Sequence, residues 1–389
     1  MESELSISRL LIVGASLAGL RAALAARKAG FEGALVMVGE ERHLPYTRPP
    51  LSKELLAGEH PDDRVEFPCD TLDAEWRLGV SASALDRRRR RVVLSDGDEV
   101  AYDRLILATG SRPRRWPGAG AELDGVHVLR TIEDSLALRG AFDRRPRVAI
   151  VGAGFIGCEV AQTARKAGLD VTLIDIAATP MLPLGPELGL WCAELHRGHG
   201  VDLRLATGVA ALVGDGRVEA VRLTGSGLQA DPGLACDATL TAAGDPDILG
   251  AGDIVSWPHP LADGEDVRIE HWTVAAEQGQ LAGRNALVPP AERKPYVTPP
   301  YFWSDQYDVK IQSIGLPGRA ERLELLESAP DGWRRVYAGE RDGRLVGVIA
   351  INGARRLGAY RMALEDPPVF AELRATVGAD PAALGAPVA

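Results

Sequence analysis

The sequence predicts an α/β fold: two parallel-sheet units, then a smaller C-terminal α+β region. Three observations carry that expectation. A short apolar run, a glycine turn and an Ala-rich helical pattern open the chain at Arg9-Leu10-Leu11-Ile12-Val13-Gly14. The same order returns at Arg147-Val148-Ala149-Ile150-Val151-Gly152. Each helical pattern ends near a glycine, Gly30 or Gly168, as a C-cap residue would. A second apolar run then follows, Ala34 to Val38 or Val171 to Ile174, which makes each unit strand–turn–helix–strand.

The remaining elements follow in order. Arg91–Leu94 and Val100–Ala108 alternate as strands do, and Pro113, Pro117, Gly118 and Gly120 mark a connection. Beyond the second unit come a helix near Glu187–Arg197 and a strand at Val201–Leu205. A hairpin joins Val209–Val213 to Val218–Leu223 through Asp215-Gly216. Pro289-Pro290 and Pro299-Pro300 lead into a region with strands at Val309–Ile314, Trp333–Ala338 and Leu345–Ile351. The Ala- and Pro-rich tail after Asp366 is expected to be partly disordered.

Composition narrows the function. The 44 basic and 54 acidic side chains of the 389 residues give a net charge of −10, which argues against nucleic acid as the main partner. No apolar run reaches the ~18 residues of a membrane helix. The acidic start, Met1-Glu2-Ser3-Glu4, lacks the basic region of a secretory signal. Cys69, Cys158, Cys192 and Cys236 are scattered, without a C-x-x-C or a zinc spacing. A cytoplasmic protein with reduced thiols and no metal is the expectation.

The glycines carry the chemistry. Gly152, Gly154 and Gly157 form a full G-x-G-x-x-G. The first glycine makes the tight turn, the second lets backbone approach a pyrophosphate, and the third lets helix pack on sheet. Asp175 ends the next strand, where a carboxylate binds an adenosine ribose and repels a 2′-phosphate. That choice favours NADH. The first unit is looser, with Gly14, Ser16 and Gly19, and either Glu40 or Glu41 stands where the ribose ligand belongs. Two such units in one chain suit a flavoprotein that binds FAD and a pyridine nucleotide.

Further segments then become legible. Pro45-Tyr46-Thr47-Arg48-Pro49-Pro50-Leu51-Ser52-Lys53 resembles the P-Y-D-R-P-P-L-S-K signature of the FAD-dependent ferredoxin reductases that serve oxygenases. Leu107-Ala108-Thr109-Gly110-Ser111-Arg112-Pro113 is similar to that family's A-T-G-x-x-P segment, and Gly152 to Glu159 to its G-G-G-F-I-G-x-E. Asp247 to Asp253, His271-Trp272-Thr273 and Pro300 to Asp308 match the segments on the flavin side.

This resemblance spans about Arg9 to Tyr360 and implies a glutathione-reductase-like fold with two Rossmann-like domains. The FAD-binding domain would take residues 1–115 and 245–295, the NAD-binding domain 116–244 and the C-terminal reductase domain 296–389. It implies that Arg48, Lys53, Thr109, Gly110, Arg112, Asp253, Trp272 and Trp303 hold FAD with the first glycine turn. It also implies that Lys53, paired with Glu159, and Trp303 act at the flavin's reactive edge. Ordinary core packing is the plainer account of the two indoles, and a solvated helix the plainer account of the lysine. The related disulfide reductases carry a C-x-x-x-x-C pair on the helix beside the flavin; Leu51–Gly58, expected to be the corresponding helix here, has none, so electrons would leave the flavin singly for an external carrier.

Two departures stand out. Thr47 replaces the signature's Asp. The chain also runs from Thr224-Gly225 directly into Ser226-Gly227, where the family has a strand and a V-V-V-G-I-G-x-x-P-N loop. Roughly two dozen residues, a strand with its connections, are absent there. The function implied is hydride transfer from NADH to FAD and single-electron delivery to a ferredoxin-type partner of an oxygenase. Two other readings use the same residues: a flavoenzyme with a degenerate NAD domain acting on a bound small molecule, and an NADH-sensing interaction protein. The run Arg87–Arg91 reads first as a solvated hairpin turn and second as a docking face, with Arg112, Arg114, Arg115, Arg144, Arg145 and Arg147 as further docking candidates.

Overall fold

The computed structural model describes residues 7–61, 65–69, 71–224 and 233–379. The chain opens with β1 (Arg9–Val13), α1 (Leu17–Lys28) and β2 (Ala34–Gly39). β3 (Glu75–Leu78), β4 (Ala82–Asp86), β5 (Arg91–Leu94), β6 (Glu99–Ala101) and β7 (Arg104–Leu107) come next. α2 (Ile132–Phe142) precedes β8 (Val148–Val151), α3 (Phe155–Lys166), β9 (Val171–Ile174), α4 (Pro186–Gly198) and β10 (Asp202–Arg204). The hairpin is β11 (Gly208–Val213) and β12 (Ala220–Thr224). β13 (Leu234–Ala235), β14 (Ile248–Gly250), β15 (Val255–Pro258), β16 (Asp266–Val267) and α5 (Trp272–Asn285) follow. The last elements are β17 (Tyr301–Gln306), β18 (Val309–Gly315), β19 (Arg322–Ser328), β20 (Arg335–Arg341), β21 (Arg344–Ile351), α6 (Leu357–Glu365) and α7 (Phe370–Ala379).

These elements form two compact units. The first takes the described residues within Met1–Thr47, Val65–Ser111 and Asp231–Pro300. Its sheet runs β14-β7-β1-β2-β3, and all its pairings are parallel. Strand alternation sends Leu11, Val13, Val36 and Val38 to one face, where they pack with Val92, Leu94 and Val100 of the β4-β5-β6 sheet. The opposite residues Leu10, Ile12 and Met37 are fully buried. On that side α1 lies against α5 so closely that a Cβ at Gly279 or Gly283 would stand 2.2 Å from the carbonyl oxygen of Ala18 or Ala22. The ion pairs Arg87–Asp245 and Arg89–Glu99, with Arg90–Asp247, absorb much of the arginine run inside this unit.

The second unit takes the described residues within Arg48–Arg64, Arg112–Ala230 and Tyr301–Ala389. It holds the parallel sheet β10-β9-β8 and the antiparallel sheet β17-β18-β21-β20-β19. One core joins them: Cys158, Ala161 and Leu173 cluster with Leu188, Ile311 and Ile349. Thr131 and Asp134 close a capping box at the start of α2.

Two expectations need correction. Leu51–Gly58 is not an α-helix: Pro49–Ser52 is one 3-10 turn, followed by irregular turns to Gly58 at φ +74°. The two prolines at its head remove N–H donors, and the left-handed glycine ends it. Val100–Ala108 splits into β6 and β7, because the Asp103 carboxylate turns aside to accept Ser8 N, Ser8 Oγ and Arg9 N. Of the tail after Asp366, Phe370–Ala379 is helical, with Phe370, Leu373 and Val377 buried, and residues 380–389 lie outside the described residues. The Gly225–Ser226 junction lies outside the described residues. On the described side of it, β8 pairs only with β9, whereas β1 is flanked by β2 and β7. The two glycine turns differ accordingly: a Cβ at Gly14 would meet Ala108 O at 2.0 Å, but one at Gly152 meets nothing within 4 Å.

Candidate active site

Parallel pairing explains how the first unit assembles its site. β1, β2, β7 and β14 point the same way, so the residues after each strand gather at one sheet edge. Those residues are Gly14, Glu40, Thr109-Gly110 and, on the loop after β14, Asp253. Gly14 has φ +118° and sits against Ala108, so only glycine fits. Gly19 packs on Gly14, where a Cβ would stand 1.9 Å from its carbonyl oxygen. Ser16 is the extended N-cap of α1, whose first turn carries no side-chain cap and no acidic residue. Its N–H groups therefore point at the edge where an anion is favoured.

The Asp253 loop is pinned from several sides. Gly252 N donates to the fully buried Gln278 Oε1 at 3.0 Å, and Gly252, at φ +79°, rests on Ala18 and Ala275. Arg268 Nε donates to Asp253 O at 2.8 Å, and Ser111 Oγ lies 3.4 Å from Asp253 Oδ2. Trp272 begins α5, half-buried, behind His271. Burial pushes the His271 imidazole down to about 4, against the pull of the Asp253 charge. Glu40 is exposed at the end of β2, while Glu41 is partly covered and accepts the Tyr46 hydroxyl. A glycine cradle, an uncapped helix start and a carboxylate at one parallel edge fit the pyrophosphate and sugar-chain groups of FAD.

In the second unit Gly152, Gly154 and Gly157 repeat the turn. Gly152 has φ +106°, Gly154 is the extended N-cap of α3, and Gly157 packs on Gly152 O. Asp175 follows β9 at the same edge. Its Oδ2 accepts Ala153 N at 2.5 Å and its Oδ1 accepts Ala177 N at 2.7 Å. These donors set the carboxylate beside the glycine turn, where it fits an adenosine ribose.

Next to this turn a buried charge pair spans three segments of the second unit. Lys53 Nζ lies 2.8 Å from Glu159 Oε2, with side chains 15% and 7% exposed. Ser52 Oγ donates to Glu159 Oε2 at 2.6 Å, and Ser304 Oγ donates to Oε1 at 2.7 Å. Gln306 Nε2 donates in turn to Ser304 Oγ at 2.9 Å. The turn that carries Lys53 is itself held, since Thr163 Oγ1 donates to Ser52 O and Ser135 Oγ to Leu51 O, each at 2.8 Å. Arg48 donates to Arg130 O. The alternation of β17 puts Ser304 and Gln306 inward and leaves Trp303 on the other face, stacked on Tyr301 at 6.2 Å. Arg112 is exposed.

All four cysteines are free and buried. Cys158, next to Glu159, has its thiol pushed well up by burial, so it is held as a protonated core residue rather than a reactive thiolate. Sequence reasoning missed Ser52, Thr163, Gln278, Ser304 and Gln306 as site residues. The signal was present for two of them: Ser304 and Gln306 alternate as polar residues on one face of a strand.

Two nucleotide cradles on parallel edges, together with a buried lysine–carboxylate pair and no dithiol, define a two-nucleotide oxidoreductase. Comparison with known proteins agrees. The model for pyridine nucleotide-disulphide oxidoreductases matches residues 8–244 and the reductase C-terminal model matches residues 301–383. The chain belongs to this pyridine nucleotide-disulphide oxidoreductase family. It is 36% identical to the anthranilate 1,2-dioxygenase system ferredoxin–NAD(+) reductase component of Burkholderia cepacia, covering 95% of this chain and 98% of that protein. That alignment runs over 406 positions, more than the 389 residues present, so this chain has gaps relative to it. It is 33% identical to rhodocoxin reductase of Rhodococcus erythropolis, covering 95% and 93% of the two chains. Among solved structures, the ferredoxin reductase for the CYP199A2 system from Rhodopseudomonas palustris superposes with a TM-score of 0.83 at 29% identity, covering 91% and 93%. The covalent putidaredoxin reductase–putidaredoxin complex superposes at 0.84, also at 29% identity, covering 92% and 93%.

Proposed function

We propose that this protein is an NADH-dependent, FAD-containing reductase that passes single electrons to a ferredoxin-type iron–sulfur protein serving an oxygenase. The observation that carries this reading is the Lys53–Glu159 pair, held by Ser52 and Ser304 in a chain whose cysteines are all buried and free. Bound FAD would take a hydride from NADH and give up its two electrons one at a time. The protein's residues supply position and charge. In the first unit, the FAD-binding domain of this proposal, Gly14, Ser16 and Gly19 receive the pyrophosphate. Glu40, exposed directly after β2 at the sheet edge, takes the ribose. Thr109, Gly110, Asp253 and Trp272 complete that unit's FAD ligands.

In the second unit, Gly152, Gly154 and Gly157 receive the NADH pyrophosphate. Asp175 accepts from the ribose hydroxyls and repels a 2′-phosphate, which selects NADH over NADPH. Arg48, Arg112 and Trp303 are further flavin ligands. Lys53 offers a cation to the negative charge that reduction creates, and Glu159 fixes the ammonium in place. No described helix is long and apolar enough to cross a membrane, in keeping with the cytoplasmic setting proposed here. The test is ferredoxin-dependent NADH oxidation by the FAD-loaded protein, with Lys53→Met beside it. Turnover that requires the ferredoxin is expected, falling about 100- to 1000-fold in Lys53→Met, as loss of one preorganised group does. Turnover indifferent to Lys53 would overturn the assigned role.

A further inference from the structure

A cleft lies in the second unit, at the C-terminal ends of α3 and α4 and against the β17–β18 turn. It is an open cleft of about 890 Å³, within the range of small-molecule sites. Trp191, Trp333, His199 and Tyr307 give it aromatic walls, and Lys166 and Arg335 give it two cations.

Several features mark these walls as built. Trp333 is 47% exposed, yet its backbone is fixed: its N–H donates to Asp331 Oδ1 at 2.9 Å and its carbonyl accepts Asn352 Nδ2 at 3.3 Å. A half-exposed indole on a fixed backbone leaves a large apolar face in water that a planar ligand would cover. Tyr307 has φ +57°, a left-handed conformation unfavourable to a tyrosine, and Gln162 Oε1 holds it there by accepting its N–H at 2.6 Å. The ring of His199 stacks on Tyr307 with centroids 3.5 Å apart. Neither Lys166 nor Arg335 makes an ion pair among the described residues, although the chain as a whole is acidic. Arg165, by contrast, is committed to the carbonyls of His199 and Leu169.

We propose that this cleft binds a small aromatic carboxylate, its ring against the indoles and its carboxylate on Lys166 and Arg335. The charge pattern selects that class. Arg165, Lys166 and Arg335 stand against Asp308 and Asp331, which leaves the lining one net positive charge. One carboxylate balances it, whereas a multiply charged phosphate exceeds it, the more so beside the carbonyl ends of α3 and α4. A single carboxylate can be taken by the two cations alone, and the four rings suit a planar apolar body. The site is independent of the nucleotide cradles and of the reading proposed above.

Calorimetric titration of the FAD-loaded protein with 1-naphthoate tests it, with 1-naphthamide as the neutral counterpart. One site per chain is expected, with quenched tryptophan emission and no displacement by saturating NAD⁺. The amide should bind about tenfold more weakly, as expected for loss of a charge-assisted contact. The double variant Lys166→Glu/Arg335→Glu should lose naphthoate by about tenfold or more while keeping its flavin absorbance and NADH reduction. Trp333→Ala should weaken both ligands alike, and if it does not fold the charge variant decides. Absence of binding, equal affinity for the amide, or displacement by NAD⁺ overturns the proposal.

Discussion

Glu159 illustrates how single residues set the chemistry. Its carboxylate receives two serine hydroxyls and one ammonium in a nearly dry site. A hydrogen bond to a charged group is worth about 1.5–3 kcal/mol, and burying a carboxylate without such partners costs more. Ser304→Ala removes one donor and leaves Oε1 without its partner. It should lower stability by about 1–3 kcal/mol in urea unfolding. It should also slow flavin reduction by NADH more than it weakens NADH binding, because it loosens the pair rather than the nucleotide cradle. Unchanged stability and rate would remove Ser304 from the site. The sequence made Lys53 and Glu159 legible only through resemblance to a known signature. Ser304 lay inside a quoted segment without a role, because a hydroxyl's partner on another segment leaves no trace in spacing.

At the scale of elements, the glycine turns were readable because they answer to local backbone geometry. Gly14 and Gly152 both need positive φ, and both are followed by helices that start without a capping side chain. The Leu51–Gly58 segment misled because its helix was carried over from the related disulfide reductases, whereas two prolines at its head and a left-handed glycine at its end decide otherwise. The close packing of α1 on α5 was not readable at all. Gly279 and Gly283 look like helix-weakening residues until their contact with Ala18 and Ala22 is seen. Gly279→Ala places a methyl 2.2 Å from a backbone oxygen, so the helices must part. An overpacking cost of about 1–3 kcal/mol is expected, with weaker FAD retention, because α1 carries the pyrophosphate end. A variant as stable as the parent, with FAD held equally well, would contradict that packing. The arginine run shows the reverse case: Arg87, Arg89 and Arg90 find acidic partners inside their own unit, and only the fold supplies those partners.

For the molecule as a whole, stability should depend on acid through His196. This side chain is fully buried, and burial pushes it from 6.5 down to about 4, with Gln306 acting against the shift. Unfolding lets it regain the higher value, so between pH 6.5 and 4 the unfolded state binds more protons. Stability should therefore fall as pH drops through that window and level off below it. His196→Asn should flatten that slope by up to one proton in pH-dependent thermal unfolding. An unchanged slope would show that other groups govern acid sensitivity.

The activity of the whole chain is reduction of a bound flavin by NADH. The pattern of two parallel units was legible from the repeated glycine turns. What the sequence could not convey is how the NAD cradle stands once the strand that would flank β8 is missing from the chain, since that depends on neighbours rather than on the turn itself. Stopped-flow mixing of the FAD-loaded protein with NADH, or with NADPH, addresses this most directly. Full bleaching of the flavin absorbance by NADH is expected within the turnover time, at least about tenfold faster than by NADPH, in line with one carboxylate repelling a 2′-phosphate. A flavin that stays oxidised under saturating NADH would contradict it.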